Sequence, residues 1–182
     1  MDAVARFFHE IGQLKRVPRS GWSLAGIESP ESVAEHSFRT AIIAYVLALL
    51  EGADAPRAAL LALIHDSGEA RVGDAHRLAR RYVAAGDGER RAQREQALGL
   101  PAPARAALES LVDEAKDRAT REARLAKDAD RLECLLQAHE YAERGHDVEE
   151  WIDTSLAEIE SATARSIALA VLAGRPGDWR RI

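Results

Sequence analysis

Six histidines, His9, His36, His65, His76, His139 and His146, are the residues best suited to chemistry, and His65 stands directly before an aspartate, Asp66. The pair closes an apolar run containing Leu60, Leu61, Leu63 and Ile64, so Asp66 ends a segment that belongs in a core. A carboxylate there is costly to bury as an anion unless it is paired or coordinates a metal. Taken alone, the dipeptide also fits an aspartate at a helix C-terminus turned to water beside a core histidine. Two distant positions change its meaning. His36 lies one turn into an apolar helical pattern, and Asp130, in Lys127-Asp128-Ala129-Asp130, lies beside the stripe of Leu125, Leu132 and Leu136. Two imidazoles and two carboxylates suit a divalent first-row ion with positions left open for water and substrate. Such an ion lowers the pKa of bound water and neutralises phosphate charge.

The elements that must position these residues read as helices. Val4, Phe7, Phe8, Ile11 and Leu14 recur at helical spacing over residues 2–14, with Asp2 as the cap. Pro18, Gly21, Gly26 and Pro30 then mark a long loop carrying Arg19 and Trp22. Ser32 and Glu35 form a capping-box pattern before Phe38, Ile42, Ile43, Val46, Leu47 and Leu50, a helix apolar around most of its circumference and therefore expected to be buried. Asp54 and Pro56 open the helix that runs into His65-Asp66. Residues 86–103, rich in glycine, proline and arginine, read as surface loop and short helix. Helical periodicity returns over 104–117, about 120–144 and about 148–173, with Gly145 and Gly174 as stops. The expectation is one all-α domain over residues 1–182, a bundle of about six to eight helices.

Composition agrees. The chain has 182 residues and 47% hydrophobic but only 5% aromatic side chains, and 36 alanines dominate the apolar fraction, which disfavours an all-β sandwich. The longest uninterrupted apolar run, Ala41 to Leu50, is half of what a bilayer span needs, about 20 residues. No secretion-signal pattern follows Met1, so no membrane and a cytoplasmic location are expected. A single cysteine, Cys134, leaves nitrogen and oxygen ligands as the source of any metal site, and reads as a small buried residue. The net charge of −5 argues against a nucleic-acid polymer as partner and leaves room for a small anionic ligand.

With these residues in view, the chain resembles the HD-domain metal-dependent phosphohydrolases, and within them the 5'-deoxynucleotidase branch. The resemblance rests on Arg19-Ser-Gly-Trp22, Glu31-Ser-Val-Ala-Glu-His36-Ser, Leu63-Ile-His65-Asp66-Ser-Gly-Glu69, Val72-Gly-Asp74 and Lys127-Asp-Ala-Asp130, in that order, over about residues 5–145. It implies His36, His65, Asp66 and Asp130 as ligands of a divalent ion: Mn2+, Co2+ or another first-row ion such as Zn2+, Fe2+ or Ni2+, with Mg2+ also allowed. It implies Glu69 and Asp74 as catalytic residues, Glu69 lying four residues after His65 and so on one face if the helix continues. Arg19 and Lys127 are the phosphate candidates and Trp22 a surface for sugar or base. The implied reaction is hydrolysis of a nucleoside 5'-monophosphate through a metal-activated water.

Alternatives stay open at this level. Another small phosphomonoester or a modified nucleotide fits the same residues. A di-iron oxygenase would need more histidines, and only His76 lies near the motif; a non-catalytic helical module would not need the ligand set. Arg77, Arg80 and Arg81 read as a solvated helix face. The resemblance implies a homodimer, for which Trp151, Ile152, Leu156, Ile159, Ile167, Leu169, Val171 and Leu172 on the last helix offer a partner surface.

Overall fold

The computed structural model describes residues 1–83 and 85–181. Nine α-helices and several 3-10 turns make up the regular structure among the described residues: α1 (Asp2–Ile11), α2 (Val33–Glu51), α3 (Ala55–Ile64), α4 (Glu69–Val72), α5 (Ala85–Ala97), α6 (Ala102–Asp117), α7 (Arg121–Ala142), α8 (Glu149–Glu158) and α9 (Ala162–Ala173). The all-α expectation holds.

Local chemistry sets the helix starts. Ser32 Oγ accepts the Glu35 N–H at 3.2 Å while Glu35 Oε2 accepts the Ser32 N–H at 2.7 Å, the reciprocal box anticipated for α2. Asp54 accepts the Arg57 N–H to start α3, and Thr120 accepts the Ala123 N–H to start α7. The main core lies where α2, α3 and α7 meet: Leu47, Leu61, Leu132 and Leu135 are fully buried, interleaved with Ala44, Ala48, Ala58, Ala62 and Ala129. Alanines at these contacts let the three helix axes approach closely, which brings residues 36, 65 and 130 together.

Four expectations need correction. Residues 86–103 are not mainly loop: α5 buries Ala92, Gln93, Gln96 and Ala97, and packs so near the turn after α3 that a Cβ on Gly68 would stand 2.6 Å from the Glu89 carbonyl oxygen. The stretch 148–173 is two helices. Asp128 breaks it by accepting the Glu160 N–H at 2.9 Å and the Ser161 N–H at 2.7 Å, while Ser161 Oγ caps α9 at Ala164. The surface assigned to that stretch is largely used within the chain, since Ile159 is buried and Ile152, Leu156, Ile167, Val171 and Leu172 pack on the main core.

Conversely, α2 is not buried all round. Phe38, Ile42, Tyr45, Val46, Leu49 and Leu50 are exposed along one face. By length and composition α2 alone among the described helices could cross a membrane, yet its other face carries His36 and packs against α3 and α7.

Candidate metal centre

His36 projects from the first turns of α2, His65 and Asp66 from the turn that follows α3, and Asp130 from the middle of α7. The structure brings these four together. His36 Nε2 lies 3.1 Å from Asp130 Oδ1 and 3.7 Å from Asp66 Oδ2; His65 Nε2 lies 3.0 Å from Asp66 Oδ2 and 3.6 Å from Asp130 Oδ1. The two imidazole rings are 5.4 Å apart between centroids.

The orientation of both rings is fixed from behind. His65 Nδ1 faces the Ala62 carbonyl oxygen at 2.6 Å and donates to it, and His36 Nδ1 donates to the Glu133 carboxylate. Each Nε2 is thereby turned inward, buried and without a hydrogen-bond partner. Two imidazole lone pairs and two carboxylates converging on one point are mutually repulsive unless a cation or protons stand between them. The residues therefore fit a divalent ion, with the histidine tautomers set by their outer contacts. Among the described residues, the groupings able to hold a metal contain no histidine besides His36 and His65. His76 instead accepts the Ala79 N–H at 3.2 Å.

Burial opposes charge on His65, but Asp66 and Asp130 push it up to about 10. Burial and Arg19 oppose charge on His36, yet Asp130 and Glu133 carry it above its ordinary value. Burial would raise both aspartates, but His65 and Arg19 hold Asp66 low, and Lys127 with the two histidines holds Asp130 low.

Glu69 opens α4 and is 1% exposed. The helix does not run on from His65: residues 65–68 form tight turns, Glu69 N donates to the Asp66 carbonyl, and the chain so folded brings a Glu69 carboxylate oxygen within 4.8 Å of one from Asp66. Burial, and then the charges of Asp66 and Asp74, push Glu69 up to about 10, so it holds a proton at neutral pH. Gly73, at φ +74°, makes the turn that aims Asp74 back at the N-terminal loop, where Asp74 Oδ2 accepts the Ser20 N–H at 2.6 Å. Arg19 Nη1 lies 3.4 Å from Asp66 Oδ2 and 3.7 Å from Asp74 Oδ1, at the edge of the site. Lys127 is ion-paired with Asp130.

Trp22 is set differently from expectation. Its indole is 2% exposed, packs edge-on against Tyr141 with centroids 5.1 Å apart, tilts against Trp151, and donates Nε1–H to Glu31 at 3.0 Å. No ring face is open for a base or sugar; Trp22 instead pins the loop that carries Arg19. Cys134, expected to be buried, is half-buried against the cluster of Trp22 and Tyr141, and burial pushes its thiol up to about 12. Residues 77–81 divide: Arg77 pairs with Glu158 and Thr154, while Arg80 Nη2 lies 3.7 Å from Glu69 Oε1.

The sequence reading missed Glu133, Arg39, Glu31 and Glu89. Glu133 could have been found, since it follows Asp130 by three residues and shares its helix face. Glu31 and Glu89 come close only through tertiary packing.

A family model described as HD domain matches residues 11–169. The chain belongs to the HD domain family. Among curated relatives of this HD domain, the 5'-deoxynucleotidase HDDC2 of Mus musculus is 37% identical over 145 residues, covering 75% of this chain and 68% of the relative. Among solved structures, a conserved hypothetical protein from Pyrococcus furiosus superposes with a TM-score of 0.80 at 30% identity, covering 93% of this chain and 99% of that one. A protein named as a predicted metal-dependent phosphohydrolase, from Magnetospirillum magnetotacticum MS-1, gives 0.74 at 29% identity over 94% and 90% of the two chains.

Proposed function

We propose that this HD domain is a metal-dependent phosphohydrolase that hydrolyses nucleoside 5'-monophosphates, deoxy forms preferred, to nucleoside and phosphate. The observation that carries it is the pair of buried, partnerless Nε2 atoms of His36 and His65 facing the same two carboxylates. His36, His65, Asp66 and Asp130 would hold a first-row divalent ion such as Mn2+ or Co2+. Bound there, it supplies Lewis acidity toward a phosphoryl oxygen and lowers the pKa of a water. The name of the mouse relative supports the substrate class.

The chain's own side chains complete the reaction. Arg19 offers a guanidinium fork to phosphate oxygens, and its contacts with Asp66 and Asp74 hold that fork in place beforehand. Lys127 sets the charge of Asp130 and adds a second cation beside the phosphate. Glu69, buried with a carboxylate oxygen within 4.8 Å of one from Asp66, would give a proton to the departing 5'-oxygen. Asp74 fixes the N-terminal loop through Ser20 and so keeps Arg19 near the site.

The same proposal includes a homodimer, with a second copy of the chain covering the exposed face of α2. Phe38, Ile42, Tyr45, Val46, Leu49 and Leu50 run about 18 Å along the helix. A two-fold dimer would pair this stripe with the same stripe of the second copy. The activity is tested with purified protein, added Mn2+ or Co2+, and a panel of nucleoside monophosphates and other small phosphomonoesters. Phosphate release, highest from deoxynucleoside 5'-monophosphates, is expected; release from none of them overturns the proposal.

A further inference from the structure

His36 cannot orient itself: it is fully buried, and the contact that fixes its ring is the Glu133 carboxylate, also fully buried. Glu133 is held in turn. Its other oxygen, Oε1, accepts from Arg39 Nε at 2.9 Å and lies 2.8 Å from Arg39 Nη2, while Arg39 also donates to Gln137 at 2.9 Å and to Glu140 at 2.6 Å. We infer that Glu133, clamped by Arg39, is a positioning residue for the metal site, holding the His36 proton on Nδ1 so that Nε2 presents a lone pair. The inference rests on the metal-site proposal above and deepens it.

The donor and acceptor inventory makes the arrangement selective. Arg39 can only donate, so Oε1 of residue 133 must accept from it. With glutamate, Oε2 is a second acceptor and receives the His36 Nδ1–H. In Glu133→Gln the shape is nearly unchanged, but the amide oxygen is claimed by Arg39 and the amide NH2 is turned toward His36 Nδ1. Nδ1 must then accept, its proton moves to Nε2, and the ligand position is blocked. Removing Arg39 as well, in Arg39→Met with Glu133→Gln, frees the amide to rotate and return an oxygen to His36.

The test is Mn2+ affinity measured by competition with a chelator, together with the visible absorption of the Co2+ form. Glu133→Gln is expected to weaken Mn2+ binding by about 10- to 100-fold, as loss of an outer-contact carboxylate generally does. The double variant is expected to bind more tightly than Glu133→Gln alone, a recovery that a merely structural role would not give. Glu133→Gln binding as tightly as the unmutated protein, or a double variant weaker than the single one, overturns the inference. If Glu133→Gln does not fold, Glu133→Asp decides, since the shorter carboxylate no longer reaches both Arg39 and His36: weakened Mn2+ binding supports the positioning role and unchanged binding overturns it. An unmutated protein that takes up no Mn2+ contradicts the metal site itself, which separates that failure from this one.

Discussion

Arg19 and Asp74 are tied together across 54 residues of sequence: the carboxylate accepts the backbone N–H of Ser20 at 2.6 Å with one oxygen and lies 3.7 Å from the Arg19 guanidinium with the other. The loop bearing Arg19 is thus fastened at its tip by Asp74 and behind by the buried indole of Trp22. A charged donor held this way would bind phosphate without first losing its own freedom.

Arg19→Ala is therefore expected to lower kcat/KM by about 10- to 100-fold, corresponding to the roughly 1.5–3 kcal/mol of a hydrogen bond to a charged group. Trp22→Phe keeps the packing but loses the hydrogen bond to Glu31, and should reduce stability with little change in base preference. Steady-state kinetics on several nucleotides and thermal melts check both; a base preference altered by Trp22→Phe would contradict the buried role.

Glu69→Gln is expected to lose about 100- to 10,000-fold in turnover, the range for a positioned acid, and to retain Mn2+ affinity. Turnover close to that of the unmutated protein would remove Glu69 from the chemistry.

The metal-free protein should lose stability as pH rises from neutrality to 10. His65 in the fold stands at about 10, above its ordinary 6.5, so its contribution is complete below 6.5 and lost as pH climbs through 10. Glu69, pushed up from 4.5 to about 10, acts with the same sign over a window that begins at 4.5. Binding an ion displaces the His65 proton, so Mn2+ affinity should rise over the same interval. Melting temperatures with chelator present, and affinities across pH 7–10, test this; a metal-free Tm that climbs with pH would contradict it.

The two aspartates of Lys127-Asp128-Ala129-Asp130 should separate by function. Asp128 holds the break between α8 and α9, so Asp128→Ala should destabilise by about 1–3 kcal/mol, the worth of hydrogen bonds to a buried charged acceptor, and leave metal affinity intact. Asp130→Ala should abolish metal uptake. Denaturant melts paired with metal titration distinguish them, and equal loss of metal by both variants would refute the division.

Val46→Glu, on the exposed face of α2, places a charge where the second copy is expected to pack. Light scattering should show a dimer for the unmutated protein and a monomer for the variant; a monomeric unmutated protein would contradict the interface.

Much of this was legible in the sequence because helices carry periodicity and caps. The Ser32–Glu35 box, the Asp54 cap and the Thr120–Ala142 periodicity all led to the elements that bear the site. What the sequence did not reveal depends on partners distant in the chain. Whether Phe38 or Leu47 faces inward on a helix apolar all round is settled only by where α3 and α7 lie. The break at Ser161 comes from Asp128, 33 residues away, and an indole suited by type to stacking on a sugar is enclosed by Tyr141 and Trp151. Residue type and order singled out the four candidate ligands that the fold brings together; burial and outer contacts, which set protonation and orientation, needed the fold.

The most direct test of the central claim is phosphate release from a deoxynucleoside 5'-monophosphate by one preparation assayed with Mn2+, after chelation, and as Asp66→Ala. The four-ligand site predicts turnover with Mn2+, none after chelation, and restoration on adding the ion back, with Asp66→Ala showing neither turnover nor metal uptake. Turnover that survives both chelation and Asp66→Ala would contradict it.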